Sequence, residues 1–163
     1  MKVALLSTLA FGILTTGVAA EQACRSFQAT IQLHMKKDGC TSPVGICTTG
    51  AVVSSDSALN GASWSFTSLG TADSAGLPAS LQPASMLSYA GSVVVTTVRD
   101  GTFTTSNAGV FDTAAGAFSQ LDQITSGTGK FADTKGGLIF INGIGGGDAG
   151  FKSVVHGELC LNP

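Results

Sequence analysis

The sequence predicts one all-β domain, an eight-stranded antiparallel closed barrel, behind an N-terminal export signal. Three observations predict it. Apolar and polar residues alternate with period two in segment after segment, the signature of strands with one buried face. Turn-forming residues recur roughly every ten to fifteen positions, the spacing of a small sandwich or barrel. Cysteines near the start of the first strand and the end of the last fall on the same face, as closure of the barrel requires.

The first twenty of the 163 residues read as an export signal. Met1-Lys2 is a short positive start, Val3 to Val18 is largely apolar, and Val18-Ala19-Ala20 supplies small residues for cleavage before Glu21. The apolar run is short and carries Ser7, Thr8, Thr15 and Thr16, which argues against a membrane anchor. Residues 21–163 then form the single barrel domain, secreted or periplasmic. Without Lys2, seven of the eight Lys and Arg remain against ten Asp and Glu. The balance is mildly acidic and Lys36-Lys37 is the only basic doublet, which excludes a nucleic-acid surface. Low charge (11%) with 44% hydrophobic residues describes a packed chain rather than a disordered one.

The strands follow in order. Phe27, Ala29, Ile31, Leu33 and Met35 alternate with Gln28, Thr30, Gln32 and His34, up to the Asp38-Gly39 turn. Ile46–Ser55 is the second strand, and Asn60-Gly61 is a hairpin signal leading into Ser63–Thr67. Leu77–Pro83, with two prolines, reads as a loop. Tyr89–Arg99 is a strong strand turned by Asp100-Gly101 into Thr102–Thr105, with Val110-Phe111 as its continuation or a bulge. Ala117–Thr125 follows Ala114-Ala115-Gly116. Gly127-Thr128-Gly129 is read as a tight hairpin that places Phe131 as a plug at the end of the core. Leu138–Ile141 is a short strand ending at Asn142-Gly143, and Phe151–Leu161 is the last.

Four cysteines in an exported chain favour disulfides, and three connectivities are possible. Cys40 and Cys47 bracket a short turn-rich loop and are paired locally. Cys24 and Cys160 then lie on the polar faces of the first and last strands and bridge the ends of the chain. No C-x-x-C occurs, so a zinc site is not expected, nor is any other metal or organic cofactor.

The segment Ile124-Thr125-Ser126-Gly127-Thr128-Gly129-Lys130-Phe131, with Gly116-Ala117-Phe118 before it and Lys135-Gly136-Gly137-Leu138 after it, resembles the barrel proteins of the allene oxide cyclase and dirigent group. The close match covers some 35 residues, and the strand count extends it loosely along the rest. The resemblance implies a calycin-like eight-stranded barrel, often oligomeric, around an apolar cavity. In plant members that cavity guides stereochemistry, closing a fatty-acid epoxide into a ring in one type and steering phenolic radical coupling in the other. The matching segment is a turn, so no catalytic residue is carried over.

The expected function is therefore to bind or guide a small apolar ligand. The alternatives are a cofactor-free isomerase or cyclase using the same cavity, and a packed structural barrel with no ligand. Trp64, Phe66 and Tyr89 are the candidate pocket aromatics; core packing is the competing account of them. Gln120 and Asp122 share a face with Phe118 and Ile124 and are candidates to orient a ligand, or else ordinary solvent-facing residues. His156 and Glu158 are an acid/base spacing best read as a solvated outer face, and His34 likewise. Gly145-Gly146-Gly147-Asp148 is a loop, since calcium-binding glycine repeats need stacked copies. Val93-Val94-Val95 and Leu138–Ile141 are apolar on both faces, so a loop or another subunit is expected to cover the outer one; the resemblance favours a subunit and hence a homo-oligomer.

Overall fold

The computed structural model of the chain describes residues 23–73, 84–132, 134 and 137–161. The expected export signal and the loop expected at 77–83 lie outside the described residues. Eight strands form the domain: β1 (Ala23–Met35), β2 (Cys47–Ser54), β3 (Ser63–Asp73), β4 (Met86–Thr96), β5 (Thr102–Asp112), β6 (Ala117–Gly127), β7 (Leu138–Gly145) and β8 (Phe151–Leu161). Each pairs antiparallel with the next, and β8 pairs with β1, so the sheet closes on itself. Closure leaves no edge strand with unpaired backbone groups.

The alternation read from the first and last strands sets the register. Phe27, Ala29, Ile31 and Leu33 of β1 point inward and are buried, as are Ser153, Val155 and Leu159 of β8. Cys24 stands directly opposite Cys160 in the β1–β8 ladder, and the two are bonded. Cys40 and Cys47 are bonded as well. His34, His156 and Glu158 are exposed on the outer face.

One end of the barrel is packed solid. Trp64, Val95, Phe103, Ile124, Phe131 and Leu159 meet there, none more than 3% exposed. Phe131 is brought in by a 3-10 turn (Gly129–Phe131), and its ring lies 5.1 Å from that of Phe103. The turn is tied to the β4–β5 hairpin, because the Lys130 amide donates to the Asp100 carbonyl at 2.8 Å. Gly101 there has φ +111°, and a Cβ on it would collide with the Thr128 carbonyl. Phe131 is thus the plug expected of it. The segment delivering it is a 3-10 turn within the longer β6–β7 connection, in place of a tight hairpin.

β5 runs on through Val110-Phe111, the first of the two readings its sequence allowed, and the register shifts lie between Ser68 and Gly70 of β3 and between Thr104 and Thr105 of β5. Two other boundaries differ from the sequence reading. The β2–β3 connection spans eight residues, with Gly61 at its end in a left-handed conformation. β7 continues past Asn142-Gly143 to Gly145 because Gly143 is needed inside the barrel, for a reason given below. Val94, Leu138 and Phe140 point outward and are 42%, 43% and 52% exposed.

Candidate functional site

The end of the barrel opposite the Phe131 plug is a cup. The last inward positions of β1, β3 and β5 and the first of β2, β4, β6 and β8 converge there. Phe66, Tyr89, Phe111, Phe118 and Phe151 form most of its wall. Their rings meet edge to face: Phe66 with Tyr89 at 5.9 Å, Phe118 with Phe151 at 5.6 Å and Phe111 with Phe151 at 5.9 Å. Met35, Ile46 and Leu87 complete the apolar rim, and Thr48, Ser68 and Thr71 add hydroxyls. Together they enclose a cavity of about 200 Å3.

The rings fit because the neighbouring strand offers no side chain beneath them. Gly91, Gly109 and Gly143 occupy inward positions. A Cβ on Gly91 would collide with the Phe66 ring, one on Gly109 with the Tyr89 ring, and one on Gly143 with the Phe118 ring. Each of these three rings therefore occupies space over bare backbone, where a side chain would push it into the cavity. This is the demand that keeps Asn142-Gly143 inside β7 as strand and denies it the role of a turn.

Below the rings lies a polar layer. Tyr89 donates its hydroxyl hydrogen to Gln120 Oε1 at 2.9 Å. Gln120 Nε2 donates to Asp122 Oδ1 at 2.5 Å, and Thr105 Oγ1 donates to Asp122 Oδ2 at 2.5 Å. Asp122 is fully buried, and burial pushes its pKa up to about 6 although Thr105, Gln120 and Asn107 pull it down. Tyr89 is held well above the usual phenol range by burial first and by the charge of Asp122 second. Asn107 faces Asp122 across the β5–β6 ladder; its amide favours the ionised carboxylate, yet neither amide atom makes a hydrogen bond of ordinary geometry. Ser153 Oγ, buried opposite Gly143, also has no partner. Buried polar groups without partners cost about 1–3 kcal/mol each, so this layer is a place where the interior departs from a plain hydrophobic core.

Of the residues singled out in the sequence, the structure brings Phe66, Tyr89, Phe118 and Gln120 together around the cavity. Asp122 lies one layer deeper and reaches the cavity only through Gln120. Trp64 is inward-facing but belongs to the packed end, and it does not line the cavity. Asn107 and Thr105, which complete the polar layer, were missed. Their signal was present, since they alternate in phase with Phe103 along β5. Phe111 and Phe151 were missed for want of any cue to their height in the barrel. Among the described residues, no three His, Cys, Asp or Glu side chains converge as a metal site would need.

Fold and site together define a small disulfide-bonded β-barrel, plugged at one end and open at the other into an aromatic cup over a buried carboxylate. Compared with known proteins, the chain matches no family model, no curated protein and no solved structure.

Proposed function

We propose that the protein binds one small, mainly apolar molecule in the aromatic cup. The observation that carries this is the cavity itself: about 200 Å3, walled by aromatic rings and floored by a few placed polar groups. An apolar protein cavity of ~150 Å3 accepts benzene, so this one suits a single ring with a short substituent. The reading takes the protein as exported to an oxidising compartment, secreted or periplasmic, which the two disulfides support.

Stereochemical guidance of a reacting guest, as the likeness to the allene oxide cyclase and dirigent group implies, is one use of such a cup. A cofactor-free isomerase is the second reading, and Asp122 favours it as a carboxyl group that titrates near neutrality. Gln120 stands between Asp122 and the cavity, however, and an amide is a poor carrier of protons. Binding therefore comes first.

Titration with ethylbenzene, followed by calorimetry and by the ring-proton NMR signals, tests the proposal. The expected result is saturable binding with a negative heat-capacity change and shifts confined to Phe66, Tyr89, Phe118 and their neighbours. Leu87→Trp, which fills the cup from a half-buried rim position, should abolish it. Absence of saturable binding, or shifts scattered over the outer surface, overturns the proposal.

A further inference from the structure

The polar floor has a direction, and the direction follows from Asp122. An ionised carboxylate only accepts hydrogen bonds, and Asp122 accepts one from Thr105 and one from Gln120. Gln120 must therefore turn its NH2 group toward Asp122, which leaves Oε1 facing Tyr89. The Tyr89 hydroxyl must then spend its single hydrogen on Gln120. What Tyr89 has left for the cavity is oxygen lone pairs, an acceptor with no donor. The other hydroxyls of the wall, on Thr48, Ser68 and Thr71, rotate to donate or accept and impose no choice.

We propose that the Tyr89–Gln120–Asp122 chain makes the cup selective for small apolar molecules that donate a hydrogen bond, alcohols over ketones of the same skeleton, with Tyr89 as the residue that reads the donor. This rests on the binding role proposed above and names the ligand class it takes.

The selectivity depends on the charge of Asp122, and the surroundings of that group are simple. β4 presents Tyr89, β5 presents Thr105 and Asn107, β6 presents Gln120 and β7 presents Ile139. Every described Lys, Arg and His side chain is exposed, so no cation is placed to fix the carboxylate as an anion. Once Asp122 takes up a proton it can itself donate to Gln120 Oε1. The amide is then free to turn its NH2 group to Tyr89, and the Tyr89 hydrogen is released to the cavity. The preference for a donor relaxes as the pH falls through about 6.

The test uses 1-phenylethanol and acetophenone, which share the ethylbenzene skeleton and do not titrate between pH 5 and 7.5. Affinities are measured for the native chain and for Tyr89→Phe at both pH values. Comparing the two proteins cancels the different hydration of alcohol and ketone. At pH 7.5 the alcohol-to-ketone affinity ratio should be about fivefold higher in the native chain than in Tyr89→Phe, the worth of one ordinary hydrogen bond. At pH 5 that contrast should shrink toward one. Ethylbenzene binding to Tyr89→Phe shows that the cup is intact. Ethylbenzene that binds both proteins while the ratio is the same in both overturns the donor inference and leaves the binding role standing. A contrast that persists unchanged at pH 5 overturns the part assigned to Asp122. Failure of all three compounds to bind the native chain removes the binding role itself.

Discussion

The two ends of this barrel are built from the same strands and the same alternation, yet one is filled and the other is hollow. At the plugged end, Phe103 and Phe131 press against each other and against Trp64, Ile124 and Leu159, all essentially without exposure. At the cup, five aromatic rings lie back against the wall and leave space between them. The difference lies in what sits beside each ring. Val93, Val95 and Ile124 fill the interior around Phe103, whereas Gly91, Gly109 and Gly143 lie beside the cup rings. Three of the five cup rings thus lie over glycine, whereas the inward neighbours of Phe103 are bulky.

Each end also carries one disulfide, and here the contrast gives the largest expected effect. Cys24–Cys160 joins β1 to β8 at the plugged end and closes a loop of 136 residues in sequence separation. Cys40–Cys47 braces the rim with a separation of 7. In the chain-entropy account the first contributes about 5 kcal/mol and the second about 2.5 kcal/mol. Denaturant unfolding of the two paired Cys→Ala variants should show that order. Equal losses would mean that loop closure is not the source of the stabilisation.

Phe103→Ala should cost about 4 kcal/mol, since a fully buried ring leaves a void that its packed neighbours cannot close. Phe118→Ala, half-buried at the cup and already facing space, should cost about 1 kcal/mol, and ligand binding should suffer more than folding. Thermal unfolding of both variants measures the contrast, and similar costs at the two sites would erase the distinction between core and lining.

The polar layer between the ends should show itself in pH. The pKa of Asp122 rises from about 3.9 in the unfolded chain to about 6 in the folded one. The folded state therefore holds the proton more tightly, and stability from this group is full below about pH 4. It is lost as the pH rises through 6, by about 3 kcal/mol in all. Asp112 works in the opposite direction, because hydrogen bonds from Ser85 and from the Ala114 and Ala115 amides hold its pKa down. The informative quantity is thus the difference between the native chain and Asp122→Asn, measured by denaturation from pH 4 to 8. The variant should gain relative stability across that window; a flat difference would mean the buried carboxylate is better solvated than its surroundings indicate.

Much of this molecule was legible in its sequence, and the missing part has a single physical origin. Period-two alternation says which residues share a face, and it set Phe27 to Leu33 inward as the structure does; for Gln120 and Asp122 it left a solvent-facing strand open, and both are buried. It says nothing about height along the barrel axis, which depends on the stagger between strands. Trp64 and Phe66 are two residues apart on one face, and that single step takes the first into the packed core and the second into the cup. Cys24–Cys160 was legible because cysteine register follows from the same alternation once the first and last strands are neighbours, and Cys40–Cys47 because the two bracket a short turn-rich loop. The continuation of β7 through Gly143 was not, since it answers to a side chain on a different strand. Asn142-Gly143 looks like a turn until the Phe118 ring is seen occupying the space above the glycine.

Rings laid on bare main chain have a kinetic consequence. A cavity wall made of mobile aliphatic side chains must sort through rotamers before a guest fits, and each one immobilised subtracts from affinity. Beneath Phe66, Tyr89 and Phe118 the backing surface is peptide already fixed by the ladder of a closed sheet, and each of these rings has two torsions and bare backbone to rest against. Such a wall changes little when a guest enters, so the ordering cost of binding is low and association is not held back by rearrangement of the host.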